Sequence, residues 1–166
     1  MNEAASSGPA HFADPSAALA ALALLVLKEH VLLGGLAAPG QSLALGLAWW
    51  ALPAGVVLRE TDVNAALKRC LAEECSFLDV DHVELRRWLA DAGWLTRDGF
   101  GREYRRVAAR DLAAERVHIA GALSGLLAPS WVAGIRAADT AQRAARREAW
   151  DARQTARQGA AEKGPT

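Results

Sequence analysis

Residues Asp81 to Val107, DHVELRRWLADAGWLTRDGFGREYRRV, spell a helix, a glycine stop and an arginine-rich hairpin in succession, and this order constrains the fold more than any other stretch. Leu85, Trp88, Leu89 and Ala92 fall at the i, i+3, i+4, i+7 positions that share one helical face, and Asp79 or Asp81 can cap the start. Gly93 ends the helix, because glycine takes the left-handed conformation at little cost. Trp94 to Arg97 then reads as a strand, Asp98-Gly99-Phe100-Gly101 as a turn and Arg102 to Val107 as a returning strand. A hairpin directly after a short amphipathic helix is the ending of a winged helix-turn-helix.

The preceding residues supply the other half of that motif. Thr61 with Asn64 three residues later gives a partial capping pattern, and Val63, Leu67, Cys70 and Leu71 form an apolar stripe on a helix running to about Glu74. Cys75 to Val80 is a short connection to the next helix, so the two helices and the hairpin make one compact unit over 52–107. The expected class is mostly α, with a winged helix-turn-helix core, a small β-hairpin and additional flanking helices.

Glu60, Val63 and Asn64, followed by Leu85-Arg86-Arg87, Asp91, Gly93, Leu95, Arg97, Gly101 and Tyr104, resemble the bacterial domain of unknown function numbered 2087. The resemblance spans about Leu52 to Val107. It implies a small bacterial helical domain with a hairpin, of a kind found alone or attached to helix-turn-helix regulators. It implies no activity, no cofactor and no catalytic residue.

At 166 residues, 52% of them hydrophobic, the chain suits one domain with helical extensions and a real core. Alanine and leucine dominate its aliphatic residues, which favours helix. The net charge of zero argues against a strongly basic nucleic-acid binder. The halves differ, however: residues 1–79 carry four basic and eight acidic side chains, and residues 80–166 carry fifteen and eleven. The basic excess sits with the wing and the tail.

Residues 1–16 read as a disordered lead, with Glu3 and Asp14 where a signal peptide would be basic. Ala17 to Leu27 is apolar all round but stops at Lys28-Glu29-His30, and Leu43 to Leu58 is broken by Pro53. Both fall short of the roughly 20 apolar residues of a spanning helix. No membrane insertion is expected, and a cytoplasmic location is. The other reading of this half is burial: a helix over Ala17 to Leu33 ended by Gly34-Gly35, and a second, capped by Ser42, running through Trp50. A helix apolar on all sides must be covered on all sides, and a homo-oligomer would supply some of that cover. Beyond the hairpin, Arg110 to Leu127 reads as an amphipathic helix with Leu112, Ile119, Leu123 and Leu126, closed by Pro129. Residues 129–166 read as a charged helix or tail, with its last residues, from Gly159, disordered. A basic arm on DNA is the second reading of that tail. The globular domain thus covers 17–128.

Little in the chain speaks for chemistry. Cys70 and Cys75 would point about 140° apart on a continuing helix, so neither a disulfide nor a two-sulfur metal clamp is expected, and reduced thiols fit a cytoplasmic protein. Cys75, Asp79, Asp81 and His82 lie close in sequence but lack a repeated ligand spacing, so no metal is expected. No phosphate-binding glycine loop, serine elbow or zinc-protease motif occurs, and no enzyme and no cofactor are expected.

Two functions remain open. In the first, the chain is a DNA-binding transcriptional regulator, with the Asp81 to Ala92 helix in the major groove of double-stranded DNA. Arg87 lies opposite the apolar face and would read a base, Arg86 flanks it, and Arg97, Arg102, Arg105 and Arg106 would hold phosphates. In the second, the winged unit is a non-enzymatic protein-interaction module. Glu84 and Asp91 on or beside the same helix face would repel phosphate, and Arg86 would bridge an acid such as Glu60 or Asp79, so that arginines fasten helix to hairpin. Trp94 and Tyr104 read as core aromatics in both.

Overall fold

The computed structural model describes residues 12, 14–125 and 130–162. Its elements in chain order are α1 (Pro15–Leu25), α2 (Ala38–Ala51), β1 (Val57–Arg59), α3 (Glu60–Ala72), α4 (His82–Asp91), β2 (Leu95–Arg97), β3 (Glu103–Arg106), α5 (Ala114–Ser124) and α6 (Ser130–Glu162), with short 3₁₀ turns at Leu33–Gly35 and Ala109–Asp111. The strands form one antiparallel sheet in the order β1-β3-β2. Helix, strand, two helices and a hairpin in that sheet order are a winged helix-turn-helix. Around it, α1 packs on α2 and α5, and α5 packs on α2. The chain is mostly helical, as expected.

The strand β1 is the element that sequence pattern does not reveal. It is three residues long, and only Leu58 faces the core, paired with Tyr104. Its partner β3 lies far along the chain, so β1 becomes a strand only once β3 is beside it. Helix α2 is likewise part of the unit: Trp49 sits with its ring centroid 5.6 Å from that of Trp94 and donates its indole N–H to the Val107 carbonyl at 2.8 Å. Both tryptophans are buried. Gly46 permits the close crossing of α2 and α5, since a Cβ there would stand 2.7 Å from Ile119 Cγ2.

Several boundaries differ from expectation for identifiable reasons. The first helix ends at Leu25 rather than Leu33, and the backbone then turns through His30 at φ 52. Val31 donates to the Phe77 carbonyl at 2.8 Å and accepts from Asp79 N–H at 2.9 Å, which ties this segment to the connection between α3 and α4. Ser42 lies inside α2, whose start is set by Pro39 in its first turn. For α3, the residue that caps is Asp62, which accepts the Arg59 N–H at 3.2 Å, so the helix starts at Glu60 and Thr61 is not the cap. Helix α5 spans Ala114–Ser124, shorter than the expected Arg110 to Leu127, because residues 109–111 form the 3₁₀ turn. Leu126 and Pro129 lie outside the described residues, as do 1–11 and 13 of the expected lead and 163–166 of the tail. The rest of the tail is one helix, α6, which runs past Gly159.

The cysteines also depart from expectation. Helix α3 stops at Ala72, and the chain turns back so that Cys75 N–H donates to the Cys70 carbonyl at 2.8 Å. The two sulfurs are therefore neighbours, Sγ to Sγ 3.0 Å, not side chains on opposite faces of a continuing helix. Both are free and buried, and the mutual hydrogen bond, followed by burial, pushes the Cys75 thiol up.

Candidate nucleic-acid interface

Helix α4 is fixed at both ends by its own sequence. The Asp81 carboxylate accepts the N–H groups of Val83 and Glu84, each at 2.8 Å, and these bonds hold its pKa below the usual carboxylate value. Gly93 closes the helix at φ 74. Between them, Leu85 and Leu89 are wholly buried, which stabilises the seat of α4 by about 2 kcal/mol each. Trp88 and Ala92 complete the inner face as partly buried groups.

The wing is built around one carboxylate. Asp98 accepts from the backbone N–H of Arg102 at 2.7 Å and of Glu103 at 3.1 Å, so the turn folds over its side chain. Hydrogen bonds from the Glu103 and then the Arg102 backbone lower its pKa. Gly101 takes φ 68 in the turn. The Arg102 guanidinium lies 5.1 Å from the Phe100 ring centroid, and Phe100 is 81% exposed at the tip.

The six arginines proposed from sequence divide sharply. Arg86 turns inward: its Nη1 is 2.6 Å from Asn64 Oδ1 and 2.8 Å from Glu60 Oε1, and its guanidinium lies 5.3 Å from the Tyr104 ring centroid. It pins α4 to α3 and to the sheet, so its assignment to a DNA surface is corrected. Arg106 also turns inward, its guanidinium 3.8 Å from the Trp49 ring centroid and its Nη1 donating to the carbonyls of Trp50 at 3.2 Å and Leu52 at 2.8 Å. Burial lowers its pKa. It caps the end of α2 and is corrected in the same way.

Arg87, Arg97, Arg102 and Arg105 are exposed, and among the described residues none of them pairs with an acid. Sheet alternation explains the split between Arg105 and Arg106, since Tyr104 and Arg106 lie on the face turned to the core and Arg105 on the other. Arg59, which sequence reasoning missed, is exposed on that outer face opposite Glu103 in register. Its signal was invisible while β1 was unseen. Glu84 and Asp91 are exposed on α4, so the helix does not present a purely positive surface.

Residues 39–106 match the family model described as an uncharacterized protein conserved in bacteria (DUF2087). That segment is similar to the DUF2087 domain. It runs from the start of α2 to the last residue of β3, and so takes in the helix, strand, helix pair and hairpin of the winged unit. The match reaches further toward the N-terminus than the motif residues themselves do, because α2 carries none of them. No curated protein and no solved structure matches the chain.

The remaining chemical candidates are not drawn together into a centre. Among the described residues, no group of three or more His, Cys, Asp or Glu side chains is placed to hold a metal ion. Cys75 is buried while Asp79 and Asp81 are exposed. No helix of the described residues is long and apolar enough to cross a membrane.

Proposed function

We propose that this protein is a cytoplasmic DNA-binding regulator whose DUF2087 domain lays α4 in the major groove of double-stranded DNA and its wing along the phosphates. The reading is supported above all by the four exposed arginines, Arg87, Arg97, Arg102 and Arg105, on the helix and hairpin that a winged helix-turn-helix presents to a duplex. Arg87 is the base-reading candidate. It lies one residue from Arg86, yet it has no internal partner among the described residues, and a guanidinium can donate two bonds to guanine. Arg97, Arg102 and Arg105 would contribute affinity without sequence choice. The protein acts by binding, with no catalytic step.

A second copy is proposed as the partner that covers Leu24 and Leu32, which are 69% and 61% exposed. A two-fold dimer would also match paired half-sites on DNA. Light scattering on the eluting chromatographic peak should give twice the chain mass, and monomer alone would remove the dimer.

One observation favours the other reading. Phe100 at the wing tip, Val56 before β1 and Val57 in β1 are exposed, and Glu84 and Asp91 on α4 disfavour phosphate. In that case the wing docks a protein with an apolar, basic-tolerant surface. Fluorescence anisotropy of a labelled random duplex separates the two. DNA binding requires micromolar affinity that falls steeply with salt and is lost on Arg97→Gln with Arg105→Gln. No binding at about 50 mM salt leaves the protein-docking reading.

A further inference from the structure

Helix α6 leaves the domain after a fixed root. Arg136 anchors it, with Nε donating to the Val26 carbonyl at 3.2 Å, Nη1 to the Glu73 carbonyl at 2.9 Å and Nη2 to the Glu74 carbonyl at 3.2 Å. From Ala141 to Arg153 every side chain is exposed, so nothing in the fold explains the composition of this half of the helix. That composition is ordered. At 100° per residue, Arg143, Arg146, Arg147, Arg153 and Arg157 all fall within about 60° of Trp150. Glu148 and Asp151 lie about 160° and 100° away from it, and Ala141, Ala145, Ala149, Ala152 and Ala156 fill the remaining side. The one acid inside the basic arc, Asp139, is already paired with Arg143 Nε at 2.6 Å.

We propose that this face of α6 is a second duplex-DNA contact, separate from the wing, in which the arginines hold backbone phosphates and Trp150 packs on the sugar-phosphate edge. Trp150 is 56% exposed at the centre of the arc, where burial gives no reason for it. Arg143 to Arg157 spans about 21 Å of helix, enough to follow several successive phosphates. At its root the arc continues into an open groove of about 1070 Å³, lined by Lys28, His30, Arg143 and Arg147 with Glu29 and Asp139 on its walls. An anionic membrane fits less well: its helices bury a face of large apolar side chains, and the side of α6 away from the arginines offers alanine. The choice of duplex DNA among phosphate polymers rests on the reading of the DUF2087 domain, whereas the polyanion surface itself does not.

The test uses the full chain and a labelled random duplex, read by anisotropy between about 50 and 200 mM salt. Arg146→Gln with Arg147→Gln, Arg153→Gln and Arg157→Gln keeps the helix-forming character of α6, which circular dichroism verifies. Four lost phosphate contacts should weaken binding more than tenfold and flatten the log–log salt slope by about 3 to 4. Trp150→Ala should weaken it several-fold without changing that slope. The wing variant Arg97→Gln with Arg105→Gln is measured beside them. Loss in both variants upholds this proposal together with the wing reading, and loss in the α6 variant with an unaffected wing variant upholds this proposal and removes the wing reading. Loss in the wing variant alone overturns this proposal and keeps the wing reading. Absence of duplex binding by the wild type, or binding only to phosphatidylserine vesicles, overturns it as well.

Discussion

Arg86 and Arg87 are neighbours in the chain and belong to different parts of the molecule. Arg86 lies in the seam where α4, α3 and the sheet meet, with its side chain 13% exposed and its donors engaged by Glu60 and Asn64. Arg87 stands on the outside of the same helix. Arg105 and Arg106 repeat the division on β3, where strand alternation sends one guanidinium into solvent and the other onto Trp49. Thus a cluster of like residues contains two functions, a structural seam and a free basic surface. Charge count alone cannot separate them, because the distinction lies in which carbonyls and carboxylates each side chain reaches.

Substitutions on the two sides should behave oppositely. The largest expected effect is Arg106→Ala, which strands the Trp50 and Leu52 carbonyls and removes the contact with the Trp49 ring. A loss of about 3 kcal/mol in chemical denaturation is expected, with Arg106→Lys recovering part of it. If Arg106→Ala melts like the wild type, the seam is not where Arg106 acts. Arg86→Ala should cost about 2 kcal/mol, with weak coupling to Glu60→Ala because Glu60 is half exposed. Gly93→Ala should cost about 1 kcal/mol by forcing a Cβ into φ 74, and would sharpen the claim that the junction of α4 and the wing is fixed.

The effect of Asp81→Asn should be smaller and pH-dependent. Since its folded pKa is lowered, the stabilisation by Asp81 is complete above the ordinary carboxylate pKa and is lost as pH falls through the lower folded value. The melting difference between wild type and Asp81→Asn should therefore be present at neutral pH and vanish in strong acid. Smallest of all, Arg87→Gln should leave stability within about 0.5 kcal/mol of wild type while reducing duplex affinity and discrimination. A marked drop in its melting temperature would erase the contrast with Arg86.

Much of this winged unit was legible in the residues. The period of Leu85 and Leu89, the Asp81 cap, the Gly93 stop and the turn at Asp98 to Gly101 are local signals, and all act locally in the fold. The helical wheel also set Arg87 apart from Arg86, and Glu60 stood among the acids weighed for Arg86. What escaped depends on distant chain. The partners of Arg106 are carbonyls 54 and 56 residues away, β1 exists through β3, and α2 joins the unit through Trp49 and Trp94. The meeting of Cys70 and Cys75 escaped for a different reason, since it turns on a helix stopping two residues early, a boundary that apolar spacing sets poorly.

The outward surface is tested most directly by the salt dependence of duplex binding by the full chain. With Arg87, Arg97, Arg102 and Arg105 on phosphate or base edges, log affinity should fall against log salt with a slope of about −3 or steeper. A flat dependence, or no binding at about 50 mM salt, would contradict a DNA-facing wing.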